Sequence, residues 1–151
     1  MGARGTVVVT DSASNIPQQL REGLPLSVVP ITLILEGTGY RDDVDMSAAE
    51  FYSRQAADAE ASYSTSCLSP GQVLAAYRAV ADSVDGIVSV HTGSGLSGSF
   101  AAACQAADLM ASESSVSVEL VDTGTVSMAC GFCVLAAARA AESGASARGS
   151  F

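Results

Sequence analysis

Apolar and polar residues along this chain follow two periods, and the elements they predict fall in a strand–helix order. Thr6-Val-Val-Val-Thr10 is a β-branched run that ends in Asp11-Ser-Ala-Ser-Asn15, a cluster whose side chains close turns, so a strand gives way to a turn. Ser27 to Leu35 predicts one largely buried strand, with Pro30 marking an edge or a bulge, and Gly37-Thr-Gly39 breaks the pattern. Tyr40 to Asp45 is expected to return towards the sheet. Ser47-Ala-Ala-Glu50 and Ser69-Pro-Gly-Gln72 both have capping-box spacing, predicting one helix from 47 to about Ala57 and a second opening at 69 with Pro70 in its first turn. From Gly86 onward the pattern is strand (Gly86 to Val90), alanine-rich helix (Ser97 to about Ser112), strand (Val116 to Val121) and helix (Val126 to Ala141). Parallel strands joined through helices of that length need crossover connections. The expected fold class is therefore α/β, a mainly parallel sheet with helices packed on its faces. A single domain is expected over 1–151, with the Gly-, Ser- and Ala-rich tail 143–151 fraying.

Composition narrows the function. With 151 residues, 48% of them hydrophobic, the chain has length enough for one proper core. Seven basic against sixteen acidic residues give a net charge of -9, which argues against a nucleic-acid binder, because Lys and Arg supply most of that affinity. No apolar run approaches the roughly 18–20 residues of a transmembrane segment, and no basic-then-apolar export signal opens the chain, so a soluble, cytoplasmic protein is expected. Met1-Gly2 with Thr6 matches the loose myristoylation pattern, against which Val7 to Val9 read as an ordinary strand. The four cysteines, at 67, 104, 130 and 133, are expected to be free thiols. Cys130-Gly-Phe-Cys133 has redox spacing but sits in a helical run where i and i+3 merely share a face. Zinc would need two more ligands, and His91 is the only histidine, so small buried hydrophobes are the expectation.

The segment richest in candidate chemistry is His91-Thr-Gly-Ser-Gly-Leu-Ser-Gly-Ser99, placed after a strand and opening a helix. Free N–H groups and the positive helix end suit a carboxylate or phosphate there, while Ser97 as a plain helix cap explains the same residues more simply. Gly93-x-Gly95-x-x-Gly98 also matches the dinucleotide fingerprint, with Asp122 near the offset of a ribose-binding acid; against it, most of the chain precedes the motif. No Lys follows the glycines as in a phosphate-binding P-loop, and the frame of a hydrolase nucleophile elbow is absent. His91 lies near several serines, but neighbours along one strand end are not expected to point at one another, which favours a structural or solvent-facing histidine. Asp42-Asp-Val-Asp45 fails as a calcium loop at Ala48 and Arg54 and reads as a turn cluster. Ser62 to Cys67 is hydroxyl-rich and reads as a loop before the helix at Ser69.

Taken together, these segments resemble the N-terminal domain of the DegV family of bacterial fatty-acid-binding proteins. Asp11-Ser-Ala-Ser-Asn-Ile-Pro17 resembles the family's opening Asp-Ser-x-Ser-Asp-Leu-Pro turn, and Val28-Val-Pro-Ile31 its Val-Val-Pro-Leu strand. Tyr40-Arg-Asp42 through Phe51-Tyr52 fits the next stretch. Thr65-Ser-Cys-Leu-Ser-Pro70 is similar to Thr-Ser-Gln-Pro-Ser-Pro, Leu96-Ser-Gly-Ser-Phe100 to Leu-Ser-Gly-Thr-Tyr, and Val121-Asp-Thr123 to Ile-Asp-Ser. The resemblance implies a noncatalytic lipid carrier without cofactor or metal. In the family the carboxylate of one long-chain fatty acid is held by hydroxyls of the Thr-Ser and Ser-Gly motifs. Carried over, Thr65 and Ser97 hold the head group, with Ser94 and the loop amides around Gly98 assisting. The implied partner is a fatty-acid kinase that phosphorylates the bound carboxylate. The chain departs from the family at Cys67 and Leu68, which stand for Gln and Pro, and at Thr123, which stands for Ser. Family members also continue into a C-terminal domain that supplies a histidine near the carboxylate and part of the enclosure. A chain without that half is expected to lose affinity and to cover the bared surface by forming a homo-oligomer. The alternatives are a dinucleotide-binding oxidoreductase domain, resting on Gly93, Gly95, Gly98 and Asp122, and a truncated stub that binds nothing alone.

Overall fold

A computed structural model of the chain describes residues 5–148. Its frame is a four-stranded, fully parallel sheet in the order β2-β1-β6-β7, formed by β1 (Thr6–Asp11), β2 (Leu26–Val29), β6 (Gly86–His91) and β7 (Ser117–Asp122). A short turn of 3-10 helix (Ser12–Ser14) and α1 (Gln18–Arg21) join β1 to β2. The later connections run through α3 (Pro70–Ala81) and α4 (Ser99–Glu113), and α5 (Ser127–Glu142) follows β7. The α/β expectation therefore holds.

Residue alternation along the central strands builds two cores, because successive side chains leave a strand on opposite faces. Val7, Val9 and Ile87 pack with Val73, Leu74 and Tyr77 of α3 and Ala102, Ala103, Ala106 and Met110 of α4. Val8, Val88 and Val90 pack with Ile16 and with Cys130, Val134, Leu135 and Ala138 of α5. The alanines let α4 and α5 lie close to the sheet. At Gly131 an added Cβ would come within 2.7 Å of the Ser14 carbonyl oxygen, so the start of α5 is pressed directly against the turn that follows β1.

The expected single strand from Ser27 to Leu35 is two strands in two sheets. Pro30 has no N–H to donate and a fixed φ, so the ladder ends at Val29. The next amide, of Ile31, donates to Ser12 Oγ at 3.0 Å instead of continuing the sheet. Beyond the break, β3 (Thr32–Leu35) forms the centre of a small antiparallel sheet with β4 (Thr38–Arg41) and β5 (Tyr63–Ser66). The hairpin from β3 to β4 turns at Glu36 and Gly37, whose φ values of 49° and 77° are those of a tight turn matching strand twist. Of the return expected at Tyr40 to Asp45, only Tyr40 and Arg41 lie in β4, which starts two residues earlier and joins the small sheet rather than the parallel one, and 43–45 is a turn. The stretch Ser62 to Cys67, expected as a loop, contains β5, an edge strand paired along one side to β3.

Both predicted helix starts are present. At Ser69 the box is complete, whereas Ser47 Oγ accepts from the Glu50 amide while the Glu50 carboxylate pairs with Arg54. α4 begins at Ser99, two residues after its expected start. Of the tail 143–151, Ala147 is buried over Gly86 and 149–151 lie outside the described residues, as does the Met1-Gly2 pattern. The cysteines are free, but only Cys130 is buried; Cys133 and Cys67 are exposed, which corrects the expectation of small buried hydrophobes. The acidic turn is held by ion pairs, Asp43 with Arg21 and Asp45 with Arg41. No described helix is long and apolar enough to cross a membrane.

Candidate functional site

In an open parallel sheet, ligands bind at the carboxyl ends of strands where neighbouring connections leave in opposite directions. Here that place lies between β1, whose chain runs on to β2, and β6, whose chain runs on to β7 on the other side. Thr10 lies opposite Val90, so Asp11 and His91 come together at this end, both fully buried. His91 Nδ1 lies 2.9 Å from Asp11 Oδ2, and its Nε2 lies 2.8 Å from Ser89 Oγ, which accepts from the Tyr77 hydroxyl at 2.7 Å. The other Asp11 oxygen accepts from the Ala13 amide and the Thr92 hydroxyl. Ser89 and His91 do point at one another, contrary to expectation, because residues i and i+2 share a strand face. Their burial, with Tyr77 closing the far side of Ser89, makes the histidine structural rather than solvent-facing. Burial pushes the Tyr77 phenol up to about 12, although Ser89 opposes the shift, so it remains a donor in this chain of bonds.

This buried network anchors the loop that follows β6. Gly93 donates to the Thr125 carbonyl at 2.8 Å and lies so close to Gly124 that a Cβ would approach its backbone to 2.7 Å. Asp122 Oδ1 accepts from the amides of Ser94 at 3.0 Å and Gly124 at 3.1 Å, locking the loops after β6 and β7 together. Hydrogen bonds from the Ser94 hydroxyl, and then from those two amides, hold the Asp122 carboxyl below its usual range. The Ser94 amide is thus tied to Asp122, while the residue itself stays exposed. Of the residues that match the dinucleotide fingerprint, Gly93 packs against Gly124, Gly98 against Cys67, and Asp122 holds the loop amides, while Gly95 has open space beside it.

The hydroxyl motifs, far apart in sequence, meet beside this loop. Thr65 is exposed on β5, opposite Leu33, and the chain then runs through Cys67 to Leu68, which is buried. The Leu68 amide donates to Ser99 Oγ at 3.4 Å, and Cys67 Sγ lies against Gly98, where a Cβ would come within 2.9 Å of it. Ser97 is half-buried. Its Oγ accepts from the Ser99 amide at 3.2 Å and lies 3.2 Å from Ser99 Oγ, so Ser97 is not the expected helix cap: Gly98 is the cap residue, without a side-chain cap bond, and Ser97 closes a turn just before it. The segment leading from Thr65 thus meets the Ser97–Ser99 segment at the start of α4, through Leu68 and Cys67. Ser99 belongs to the segment expected to bind an anion, but its link to Leu68 was not foreseen, and neither was the Asp11–His91 pair, for which the shared face of Ser89 and His91 on β6 was the available signal.

A separate cleft of about 430 Å³ lies among Ser12, Asn15, Arg21, Asp42, Asp43 and Tyr52 and contains none of the expected head-group residues. Burial pushes the Asp42 carboxyl up, against a hydrogen bond from Ser12. Carboxylates and a guanidinium in its walls suit a hydrocarbon chain poorly.

Comparison with known proteins gives a consistent result. A family model described as "Uncharacterised protein, DegV family" matches residues 6–149. A DegV domain-containing protein of Mycobacterium tuberculosis is 41% identical over 140 residues, covering 91% of this chain and 46% of the relative. Among solved structures, a DegV family protein from Thermus thermophilus, described as binding fatty acid, superposes with a TM-score of 0.81 at 33% identity, covering 94% of this chain and 49% of that one. DegV from Bacillus subtilis, described as a fatty acid binding protein, gives 0.80 at 27% identity, covering 93% and 48%. The chain spans about half the length of the relatives it matches.

Proposed function

Because this chain belongs to the DegV family, we propose that it forms the head-group side of a fatty-acid-binding site, in which the Thr65 and Ser97 hydroxyls donate to the carboxylate of a long-chain fatty acid. The observation that carries this reading is the meeting of the two hydroxyl motifs at the start of α4, through Leu68 with Ser99 and Cys67 with Gly98. A carboxylate there also faces the positive end of a fifteen-residue helix. Of the other expected residues, Gly98 contributes close approach and Ser94 acts indirectly, through Asp122. The chain does no chemistry of its own in this reading. As in the carriers it resembles, it presents the acid to a separate kinase that phosphorylates the carboxylate.

Mass spectrometry of small molecules extracted from the purified, denatured protein tests the proposal without a guess at chain length. A stoichiometric fatty acid is expected, and an empty extract counts against the reading. Removal of a hydroxyl that donates to a charged acceptor costs roughly tenfold or more in affinity. Thr65→Ala and Ser97→Ala are therefore each expected to weaken acyl binding by about that factor. Unchanged binding in both variants would remove the site assignment.

A second copy of the chain is proposed to help enclose the tail, since each buried methylene contributes about 0.8 kcal/mol and the open polar surface covers none of them. Phe132 and Leu96, 67% and 64% exposed, favour this reading. Light scattering is expected to show self-association rising with concentration. A monodisperse monomer at high concentration speaks against it.

A further inference from the structure

Ser99 is fully enclosed, yet its hydroxyl touches both halves of the proposed head-group site. Its Oγ accepts from the Leu68 amide at 3.4 Å on one side and lies 3.2 Å from Ser97 Oγ on the other, while its own amide donates to Ser97 Oγ at 3.2 Å. In this arrangement the Ser97 hydroxyl donates inward to Ser99. A hydroxyl rotates freely and carries one donor with two acceptor positions, so the direction of that bond can reverse without moving a heavy atom.

We infer that Ser99 is a positioning residue that ties the strand carrying Thr65 to the loop carrying Ser97 and aims the Ser97 hydroxyl at a bound anion. The inference rests on the proposed carboxylate site. When an anion arrives, Ser97 turns its hydrogen outward. Ser99 then donates to the oxygen Ser97 has freed, and the Leu68 amide remains the donor to Ser99. Three donors stand in series, amide to Ser99, Ser99 to Ser97, Ser97 to the anion, and each bond polarises the next. Ser97 becomes a stronger donor than a solvent-facing serine, and its geometry is set before the ligand binds. The same tie holds Cys67 against Gly98, so the thiol reports on it even without ligand.

The test compares the wild-type chain with Ser99→Ala and Ser99→Thr, the second of which keeps the hydroxyl. Dissociation constants are measured for palmitate and for its methyl ester, which has the same tail and no charge. Ser99→Ala is expected to shrink the preference for the acid over the ester by about tenfold, with the ester's constant little changed, and Ser99→Thr to restore the preference. A Ser99→Ala variant that keeps the preference, or that weakens both ligands equally, overturns the inference, because a merely structural loss does not distinguish charged from neutral heads. Independently of any ligand, iodoacetamide labelling followed by peptide mapping should show Cys67 reacting several-fold faster in Ser99→Ala, with exposed Cys133 as an unchanged internal reference. Equal Cys67 rates overturn the inference as well. If the wild-type chain takes up neither palmitate nor its ester, the proposed function fails, and the role of Ser99 is then decided by the Cys67 rates alone.

Discussion

Replacing Asp11 with alanine is expected to destabilise the fold by about 3–5 kcal/mol, the combined cost of leaving several buried donors without an acceptor at about 1–3 kcal/mol each. Asp11 is fully buried, and its two oxygens receive His91 Nδ1, the Thr92 hydroxyl and the Ala13 amide. With the carboxylate gone, these donors lie in a region without water, and each carries its own desolvation penalty. The loss should read as a fall of about 1–5 M in the midpoint of urea unfolding, given slopes of about 1–3 kcal/mol/M. Asp11→Asn is expected to fall in between. Its amide oxygen can still accept, but if its NH₂ faces Nδ1 the imidazole must present its hydrogen to Ser89, and the direction of the Ser89 and Tyr77 hydroxyls reverses until the Tyr77 hydroxyl has no acceptor there. A midpoint unchanged in Asp11→Ala would mean that the network is not what joins the ends of β1 and β6.

The second large effect is expected at Gly93. An added Cβ would lie 2.7 Å from the Gly124 carbonyl carbon and 2.8 Å from its Cα, and backbone atoms cannot swing aside. Gly93→Ala should therefore push the two loops apart, cost roughly 1–3 kcal/mol by overpacking, and open the Asp122 link to Ser94 and Gly124. Amide exchange at Ser94 and Gly124 is expected to accelerate with it. Gly98→Ala is the informative contrast, because the clash at 2.9 Å is with the Cys67 sulfur, a side-chain atom. Its effect should be smaller and should largely vanish when Cys67→Ala is combined with it, a coupling that a double-mutant cycle measures. If both glycine variants behave alike, the loop-to-loop contact is not the constraint assigned to it.

The two central strands of the parallel sheet, β1 and β6, were legible because each is a largely apolar run, as strands covered on both faces must be. Ser69 and Pro70 marked the start of α3 for an equally local reason: the cap, the proline and Gln72 act within one turn. The break at Pro30 was visible as a proline but not as a change of sheet, since only the position of Ser12 tells where the Ile31 amide goes. β5 escaped because an exposed edge strand needs no apolar alternation, and Ser64, Thr65 and Ser66 carry no sign of their pairing with β3. In the candidate site, the residue types were readable from the motifs and their meeting was not. Ser99 reaches Leu68 across 31 positions and His91 reaches Asp11 across 80, distances over which no periodicity survives. The bond from the Ser94 amide to Asp122 is of the same kind, since it depends on the end of β7 standing beside the loop after β6.

The pairing of β1 also bears on how the chain is made. Its first neighbour, β2, follows within about twenty residues, but its second is β6, where Thr6 faces Gly86 across eighty positions. A ribosome adding about 5–20 residues per second takes roughly 4–16 s to cover that interval. Until then the Val7-Val-Val9 strand presents an open, strongly β-forming edge, the kind that finished proteins keep covered. Nascent chains halted between β2 and β6 are therefore expected to aggregate through that edge rather than settle into a smaller domain.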